Sequence, residues 1–277
     1  MDIYLETCIK TSKLITNKYS TSFSKGIAML DKKYRNPVYA VYGFVRIADE
    51  IVDTFHGHEK KLLLERYIDE TYDSIDRELG TNPVLHAFQW AVNKYNIDRE
   101  LIQAFFDSML MDLEPARHNT KTYEQYIFGS AEVVGLMCLQ IFYVDERERF
   151  DELKQYARKL GEAFQKVNFL RDINADLNER DRVYFPGLRP EKFTLQLKND
   201  IEKDIQQAFL DSKKGIRALK KDVRFGVYLA FRYYYMLFRI ISRKDVETLM
   251  SRRISVSLSC KVWLLLTSWI RNKLNII

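Results

Sequence analysis

The sequence is poor in the residues that break regular secondary structure. It has 277 residues but only 10 glycines and 5 prolines, about half or less of their usual share. A β-sandwich or β-barrel needs a turn every ~8–12 residues, and turns use glycine and proline. Few breakers together with a hydrophobic content of 47% predict long helices around a large core and exclude a disordered chain.

Cysteine is also scarce, and so are long apolar runs. Cys8, Cys138 and Cys260 are far apart and odd in number, so we expect reduced thiols in a reducing compartment. The first eight residues carry two acids and do not resemble a signal peptide. The apolar run at 262–270 is too short to span a bilayer. We therefore expect a cytoplasmic protein.

Positive charge is concentrated at the end of the chain. The net charge is +6, and residues 251–277 contain basic residues and no acid. These are Arg252, Arg253, Lys261, Arg271 and Lys273. Such concentration argues against nucleic-acid binding, which uses a broad basic face. Two interpretations stay open: a helix associated peripherally with a membrane, at its inner face, or a helix docked on the protein with a basic outer face.

Helical periodicity recurs almost throughout the chain. It predicts helices over 3–18, 37–55, 59–79, 83–95, 98–113, 122–143, 147–179, 198–220, 223–242 and 255–274. Pro37 and Pro83 are placed at helix starts, where the missing N–H costs nothing. Since we find no repeat and no linker, we predict an all-α fold with one domain over residues 1–277.

Helix 37–55 is unusual because it is apolar in nearly every direction around its axis. A helix of this kind is normally buried. It nevertheless carries Arg46, Asp49 and Asp53, at spacings that place them on one face. An unpaired carboxylate costs several kcal/mol in a buried setting, so these side chains need a compensating partner.

A second segment, residues 161–181, repeats this arrangement of acids among apolar neighbours. Its polar side chains, most of them on one face, are Gln165, Asn168, Arg171, Asp172 and Asp176. A single acidic pair is usually a solvated helix face, and mutual salt bridges are a structural alternative. Two such pairs favour facing walls that bind hard divalent cations, Mg²⁺ or alternatively Mn²⁺.

This donor set suits a diphosphate substrate. Mg²⁺ typically uses one or two carboxylates plus substrate phosphates, and Arg46 and Arg171 offer bidentate phosphate contacts. A neutralised diphosphate is a good leaving group, and the carbocation it leaves behind needs a dry pocket with aromatic faces. The chain has 17 Phe and 17 Tyr to build one.

The two acidic segments resemble the signature regions of the squalene/phytoene synthase family, most closely those of bacterial phytoene synthases. They read YAVYGFVRIADEIVDTF from Tyr39 and LGEAFQKVNFLRDINADLNERDRVYFP from Leu160. Supporting similarity extends over nearly the whole chain: STSFS at 20–24, a stretch with glycine at both ends at 129–135, and SRRISVS with KVWLLL near the C-terminus.

The resemblance implies an all-α isoprenoid synthase bundle with a central cavity. It implies a prenyltransferase that condenses two geranylgeranyl diphosphates through a cyclopropyl (prephytoene) diphosphate to phytoene, in carotenoid biosynthesis. The implied metal ligands are Asp49, Asp53, Asn168, Asp172 and Asp176, with Arg46 and Arg171 completing the catalytic set. The implied substrate-binding residues are Ser20, Thr21, Ser22, Tyr42, Arg46, Gln165, Asn168, Arg171 and Tyr184. Phe128 departs from the family, where relatives often place a tyrosine that touches diphosphate.

Two alternatives remain. The same acids would serve a squalene or dehydrosqualene synthase that uses farnesyl diphosphate. A non-catalytic relative acting as an assembly or lipid-binding factor is the second, but such a protein is expected to lose acids from one pair, whereas here all four are present.

Overall fold

The computed structural model describes residues 2–114, 119–178, 182–188 and 193–276, and these residues form a bundle of α-helices. The helices are α1 (Ile3–Tyr19), α2 (Thr21–Ala28), α3 (Lys32–Asp53), α4 (Lys60–Arg77), α5 (Pro83–Tyr95), α6 (Arg99–Met111), α7 (Thr120–Ile127), α8 (Val133–Phe142), α9 (Arg147–Asn178), α10 (Leu195–Ala218), α11 (Lys221–Ser242), α12 (Val246–Ser251) and α13 (Leu258–Lys273). A π-helical turn, Phe128–Glu132, joins α7 to α8. The predicted all-α class is confirmed.

Helix α3 begins five residues earlier than predicted, so the placement of Pro37 at a helix start was wrong. The side chain of Asp31 caps the helix by accepting a hydrogen bond from the backbone N–H of Lys33 at 3.1 Å. Pro37 then lies inside the helix, where it removes a backbone hydrogen bond. The cap and the burial of Tyr34 outweigh that loss.

Two short helices, α2 and α12, were not predicted because eight and six residues are too few to show a period. Local caps start both of them. The Ser20 hydroxyl accepts from the N–H of Phe23 at 3.1 Å, and the Asp245 carboxylate accepts from the N–H of Thr248 at 2.7 Å. The predicted continuous helix 122–143 is instead divided by the π-helical turn.

The apolar interior consists mainly of two clusters. The first lies among α3 to α8, where Phe44 stacks on Phe88 with ring centres 3.8 Å apart and meets Phe106 edge-on at 5.4 Å. The second is built largely from α9, α10 and α11, around Phe209. Helix α9 packs on α8 and on α10, and a large cavity is lined by side chains from both clusters.

Gly161 allows α9 to approach the π-helical turn closely. A Cβ added at this glycine would lie 2.6 Å from the carbonyl oxygen of Ala131, nearer than a side chain tolerates. The approach brings Ser130 and Ala131 into the cavity wall. Turns of this type occur frequently at functional sites.

One described segment, Thr120–Phe142, is long and apolar enough to cross a membrane by length and composition. It comprises α7, the π-helical turn and α8, and most of its residues are buried inside the protein. It packs against α6 and α9, as a core element of a helical bundle does.

Replacing Phe44 by alanine tests the packing of the first cluster. Because Phe44 is fully buried and stacked, we expect Phe44→Ala to lower the free energy of unfolding by about 3–5 kcal/mol, measured by urea denaturation. Phe55→Ala is the matched control, since Phe55 is 38% exposed and its loss should cost well under half as much. Equal losses in the two variants would contradict this packing.

Candidate active site

A cavity of about 620 Å³ lies among α2, α3, α8, α9, α10 and α11. Its polar end contains both aspartate pairs. These are Asp49 and Asp53 of α3, with Asp172 and Asp176 of α9. Its other end is apolar and includes Leu30, Cys138, Phe142 and Leu153. The two acidic segments, more than a hundred residues apart in the chain, therefore meet in one chamber, as the sequence predicted.

Helix α3 presents Tyr42, Arg46, Asp49 and Asp53 to the cavity, because steps of three and four residues share a helix face. Arg46 forms an ion pair with Glu50 on the same helix. A nitrogen of its guanidinium group also lies 3.7 Å from a carboxylate oxygen of Asp49.

Asp49 lies in an environment that disfavours its charge. Burial raises its pKa to about 7; Arg46 opposes the rise, and the nearby carboxylates of Asp53 and Asp112 add to it. A proton or a cation must therefore offset part of the negative charge at this wall near neutral pH.

Helix α9 presents Gln165, Asn168, Arg171, Asp172 and Asp176 to the same cavity. Asp172 accepts hydrogen bonds from Arg171 Nε at 3.0 Å and from Arg253 Nε at 2.7 Å. Burial alone would raise the pKa of Asp172, but these two arginines outweigh it and hold the pKa below its usual value. Ion pairing, the structural alternative for these acids, is thus present at Asp172.

The amide of Asn168 supplies an observation that fits a metal ion. Its Oδ1 atom is buried, and no described residue gives it a hydrogen-bond partner, although its Nδ2 donates to Gln165 Oε1 at 3.4 Å. Asn168 lies one turn before Asp172. An unpartnered amide oxygen beside carboxylates is an arrangement that suits Mg²⁺.

Protein ligands alone do not enclose a metal in the described part of the chain. No group of three or more His, Cys, Asp or Glu side chains there is arranged to hold one. Mg²⁺ normally keeps several waters and completes its shell with substrate phosphates. The residues at this wall therefore fit a metal that binds together with a diphosphate.

Arg182 joins the two acidic walls, although the sequence pattern did not single it out. Its Nη1 donates to Asp53 at 2.6 Å, and its Nη2 donates to the carbonyls of Asp112 at 2.9 Å and Val52 at 3.2 Å. Its backbone N–H donates to the carbonyl of Asp176 at 2.8 Å. The position of Arg182 within the RVYFP segment was the available signal.

A second residue that the sequence did not predict, Asp112, lies next to Arg182. It accepts hydrogen bonds from the hydroxyls of Tyr126 at 2.6 Å and Tyr184 at 2.9 Å. Burial raises the pKa of Asp112 to about 6, against the opposing effects of Arg182 and of these hydrogen bonds. Asp112 directly follows α6 and is not part of an acidic pair at helical spacing, so no pattern marked it in the sequence.

Aromatic rings line the cavity beside the polar end. Phe164 stacks on Tyr234 with ring centres 4.1 Å apart, and Phe23 lies 5.4 Å from Tyr234 and 5.7 Å from Tyr42. We call Phe23, Tyr42, Phe164 and Tyr234 the aromatic collar. Their π faces can stabilise a carbocation formed next to the acidic walls.

Some residues expected at the site lie outside the cavity wall. Ser20 lines the cavity, but Thr21 and Ser22 are not among its lining residues, and Thr21 is exposed and contacts Lys261. Their substrate contacts stay a prediction. Phe128 is also absent from the lining residues; it packs beneath the guanidinium of Arg158, 5.2 Å from the ring centre.

The family model described as squalene/phytoene synthase matches residues 16–260. The chain belongs to the squalene/phytoene synthase family. This confirms the resemblance found in the sequence and places the chain among prenyltransferase-like phytoene and squalene synthases.

Two bacterial relatives illustrate the similarity. The chain is 29% identical to the 4,4'-diapophytoene synthase of Staphylococcus haemolyticus over 69% of its own length and 66% of the relative. It is 25% identical to the 15-cis-phytoene synthase of Synechocystis sp. over 96% of its own length and 86% of the relative. The chain thus spans just under two thirds of the first relative and most of the second.

Solved structures share the fold. A dehydrosqualene synthase superposes with a TM-score of 0.78 at 21% identity, covering 97% of this chain and 98% of the other. Squalene synthase HpnC from Alicyclobacillus acidocaldarius gives a TM-score of 0.73 at 20% identity, covering 88% and 96%. The predicted isoprenoid synthase bundle with a central cavity is confirmed.

The raised pKa of Asp49 predicts a pH-dependent stability without metal. The folded protein keeps a proton on Asp49 between about pH 4 and pH 7, where the unfolded chain releases it, so stability falls as pH rises through this window. Asp49→Asn removes this loss. Because the Asp49 side chain is 33% exposed, solvent screening reduces the effect, and we expect the variant to gain about 1–2 kcal/mol over wild type between pH 5 and pH 8.

Urea denaturation in the presence of a chelator at pH 5 and pH 8 measures this difference. Asp69→Asn is the matched control, since Asp69 is exposed on α4, and it should not show the same gain. A stability difference between Asp49→Asn and wild type that does not change with pH would contradict the inferred burial of charge.

Proposed function

We propose that this protein catalyses the Mg²⁺-dependent head-to-head condensation of two geranylgeranyl diphosphates to phytoene, in carotenoid biosynthesis. The observation that carries the proposal is the cavity itself, with two aspartate pairs at one end and a long apolar wall. The first substrate loses its diphosphate to give an allylic cation, which alkylates the second substrate, and loss of a proton closes the cyclopropane ring of prephytoene diphosphate. Loss of the second diphosphate, rearrangement and loss of a second proton give the hydrocarbon.

The length of the apolar wall favours a long prenyl chain. Leu153 lies 19 residues before Asp172 on α9, which corresponds to about 28 Å along the helix axis. Four extended isoprene units contain sixteen chain bonds, each of which advances the zigzag chain by about 1.25 Å, so the chain measures about 20 Å. A geranylgeranyl chain therefore fits between the polar end of the cavity and its apolar end.

The polar end would hold the leaving group. Asp49, Asp53, Asp172 and Asp176, with the unpartnered oxygen of Asn168, would hold Mg²⁺, which supplies the positive charge that makes a diphosphate a good leaving group. The arginines beside these acids, Arg46, Arg171, Arg182 and Arg253, are placed to bind phosphate oxygens. Tyr184 and Gln165 add polar contacts from the same wall.

The aromatic collar acts at the next step. It faces the carbon skeleton just beyond the acidic walls and offers π faces to the allylic cation. Its rings also exclude water, which would otherwise capture the cation as an alcohol. The collar therefore governs how the cation is partitioned between condensation and hydrolysis.

Farnesyl diphosphate is the second candidate substrate. The chain is similar to a 4,4'-diapophytoene synthase and shares its fold with a dehydrosqualene synthase. Both similarities support this candidate, because farnesyl diphosphate is the substrate expected for a dehydrosqualene synthase. A cavity long enough for the geranylgeranyl chain also admits the shorter farnesyl chain. Both substrates carry the same diphosphate, so the chemistry at the polar end is the same.

Product analysis separates the two substrates. With Mg²⁺, we expect geranylgeranyl diphosphate to be converted to phytoene and farnesyl diphosphate to be used more slowly, as measured by chromatography of the hydrocarbon extract. Asp49→Asn and Asp172→Asn should each lower turnover by at least about a thousandfold, since each removes a transition-state charge partner, while far-ultraviolet circular dichroism stays unchanged.

Asp69→Asn is the control for these variants and should keep wild-type turnover. Wild-type activity in Asp49→Asn or Asp172→Asn would contradict the proposed metal roles. A folded, Mg²⁺-loaded protein that converts neither diphosphate would favour the non-catalytic alternative instead.

Mg²⁺ and a diphosphate ligand should each bind more tightly when the other is already bound to the protein. Because protein side chains do not enclose a metal by themselves in the described residues, a non-ionisable prenyl thiodiphosphate should raise Mg²⁺ affinity at least about tenfold, and Mg²⁺ should raise analogue affinity by the same factor. Isothermal titration calorimetry measures both. Tight Mg²⁺ binding without the analogue would argue against this shared site.

A cytoplasmic location and peripheral association with the inner face of a membrane remain proposals. The substrates have long apolar chains and the product is a hydrocarbon, so the membrane is where both would dissolve. Nucleic acid is not a proposed partner.

A further inference from the structure

The outer side of α13 presents a continuous apolar face. Leu264 and Ser268 point inward and are fully buried, and Leu264 packs against Leu229 and Tyr233 of α11. On the opposite side five large apolar side chains are each about half exposed. They are Val262, Trp263, Leu266, Trp269 and Ile270. We call these five residues the outer face of α13; within the described chain they remain open to solvent.

The basic residues of this segment lie around the outer face rather than covering it. The helix is docked on α11 through Leu264. Lys261 contacts Thr21 of α2, and Arg271 lies 3.5 Å from the hydroxyl of Tyr228 on α11. Lys273 is the basic residue that accompanies the outer face, with its Nζ 5.9 Å from the ring centre of Trp269. Arg252, Arg253, Arg271 and Lys273 are all exposed, so positive charge borders the apolar outer face.

Composition indicates what covers this face. A contiguous exposed apolar patch marks an interaction site, and a helix of this kind lies in the plane of a bilayer. Two of the three tryptophans of the chain are in the patch, and indole rings favour the membrane interface. The basic residues and the absence of acids in 251–277 complement anionic headgroups.

The same charges argue against a second copy of this chain as the occupant. A two-fold interface places the same patch on both subunits. It would bring two acid-free basic segments together, which is unfavourable, whereas an anionic bilayer neutralises them.

The start of α13 lies close to the polar end of the cavity, which opens to solvent at the exposed Arg253. Lys261, in the first turn of α13, contacts Thr21, the neighbour of the cavity-lining Ser20. Arg253, just before α13, is exposed, lines the cavity and pairs with Asp172. A bilayer that covers the outer face would therefore hold the polar end of the cavity near its headgroups.

We propose that the outer face of α13 docks this protein on an anionic lipid bilayer, with its apolar side chains inserted below the headgroups and the cavity mouth held at the membrane surface. The consequence, which rests on the proposed function, is that prenyl diphosphate enters directly from the membrane. Docking itself is a separate property and is tested without catalysis.

Flotation of the full chain with vesicles of phosphatidylcholine and phosphatidylglycerol tests the proposal. The variant Leu266→Gln with Trp269→Gln should bind at least about tenfold more weakly than wild type, because it removes two large apolar side chains from the interface. The matched control is Leu195→Gln with Leu210→Gln on α10, whose leucines are 63% and 50% exposed; it should bind as wild type does.

Tryptophan fluorescence gives a second readout. Trp263 and Trp269 should shift to shorter wavelength on vesicle addition, and lipids brominated near the headgroup should quench them. A Trp90→Phe variant, which leaves both tryptophans of the outer face in place, should keep the shift. Binding without any shift would contradict insertion of the apolar face.

Three outcomes would overturn the proposal. The first is equal vesicle binding by the Leu266/Trp269 variant and wild type. The second is binding abolished by salt with no contribution from these residues, which would indicate attraction by charge alone. The third is a wild-type dimer in analytical ultracentrifugation that becomes a monomer in the variant, which would assign the face to a second copy.

An assay with detergent-dispersed substrate separates docking from catalysis. The Leu266/Trp269 variant should keep wild-type turnover there and lose it when substrate is embedded in vesicles. If wild type makes no hydrocarbon under either condition but still floats with vesicles, the proposed reaction fails while docking stands.

Discussion

Four carboxylates in one sheltered chamber repel one another, and the rest of the structure is arranged around this constraint. Burial and neighbouring acids push the pKa of Asp49 to about 7, and the protein offsets charge elsewhere with arginines. Arg182 pairs with Asp53, and Arg171 and Arg253 pair with Asp172. A metal–diphosphate complex would bring positive charge for the acids and negative charge for the arginines, so the same set of side chains serves both states.

The bundle places the charged residues and the residues that would contact the carbon chain at opposite ends of the cavity. Helices α3 and α9 run along the cavity and carry acids at one end and apolar side chains at the other, so a single pair of helices positions the leaving group and the prenyl chain. The aromatic collar lies where these regions meet, and Gly161 lets α9 pack closely against the π-helical turn. The position of a residue along the helix axis thus determines whether it would contact the leaving group or the prenyl chain.

Periodicity predicted the long helices and placed each acidic pair on one face of its helix, because both follow from spacing within one helix. The meeting of the two pairs was expected from a different signal, the repeated arrangement of acids and an arginine among apolar neighbours. Periodicity could not reveal Asp112 or Arg182, whose contacts with Asp53 and Tyr126 depend on chain reversals between elements. It misplaced the start of α3, since a local cap at Asp31 outweighed the preference of proline for the first turn. It left the orientation of α13 open: counting basic residues gave its charge, but only its packing against α11 shows which residues face solvent.

Anomalous diffraction from crystals grown with Mn²⁺ and a prenyl thiodiphosphate that resists ionisation would show whether both aspartate pairs hold metal. We expect manganese peaks next to carboxylate oxygens of both α3 and α9, with the diphosphate between them and the prenyl chain running toward Leu153. Manganese on one helix alone, or an analogue bound with its diphosphate outside the polar end of the cavity, would contradict the proposed site.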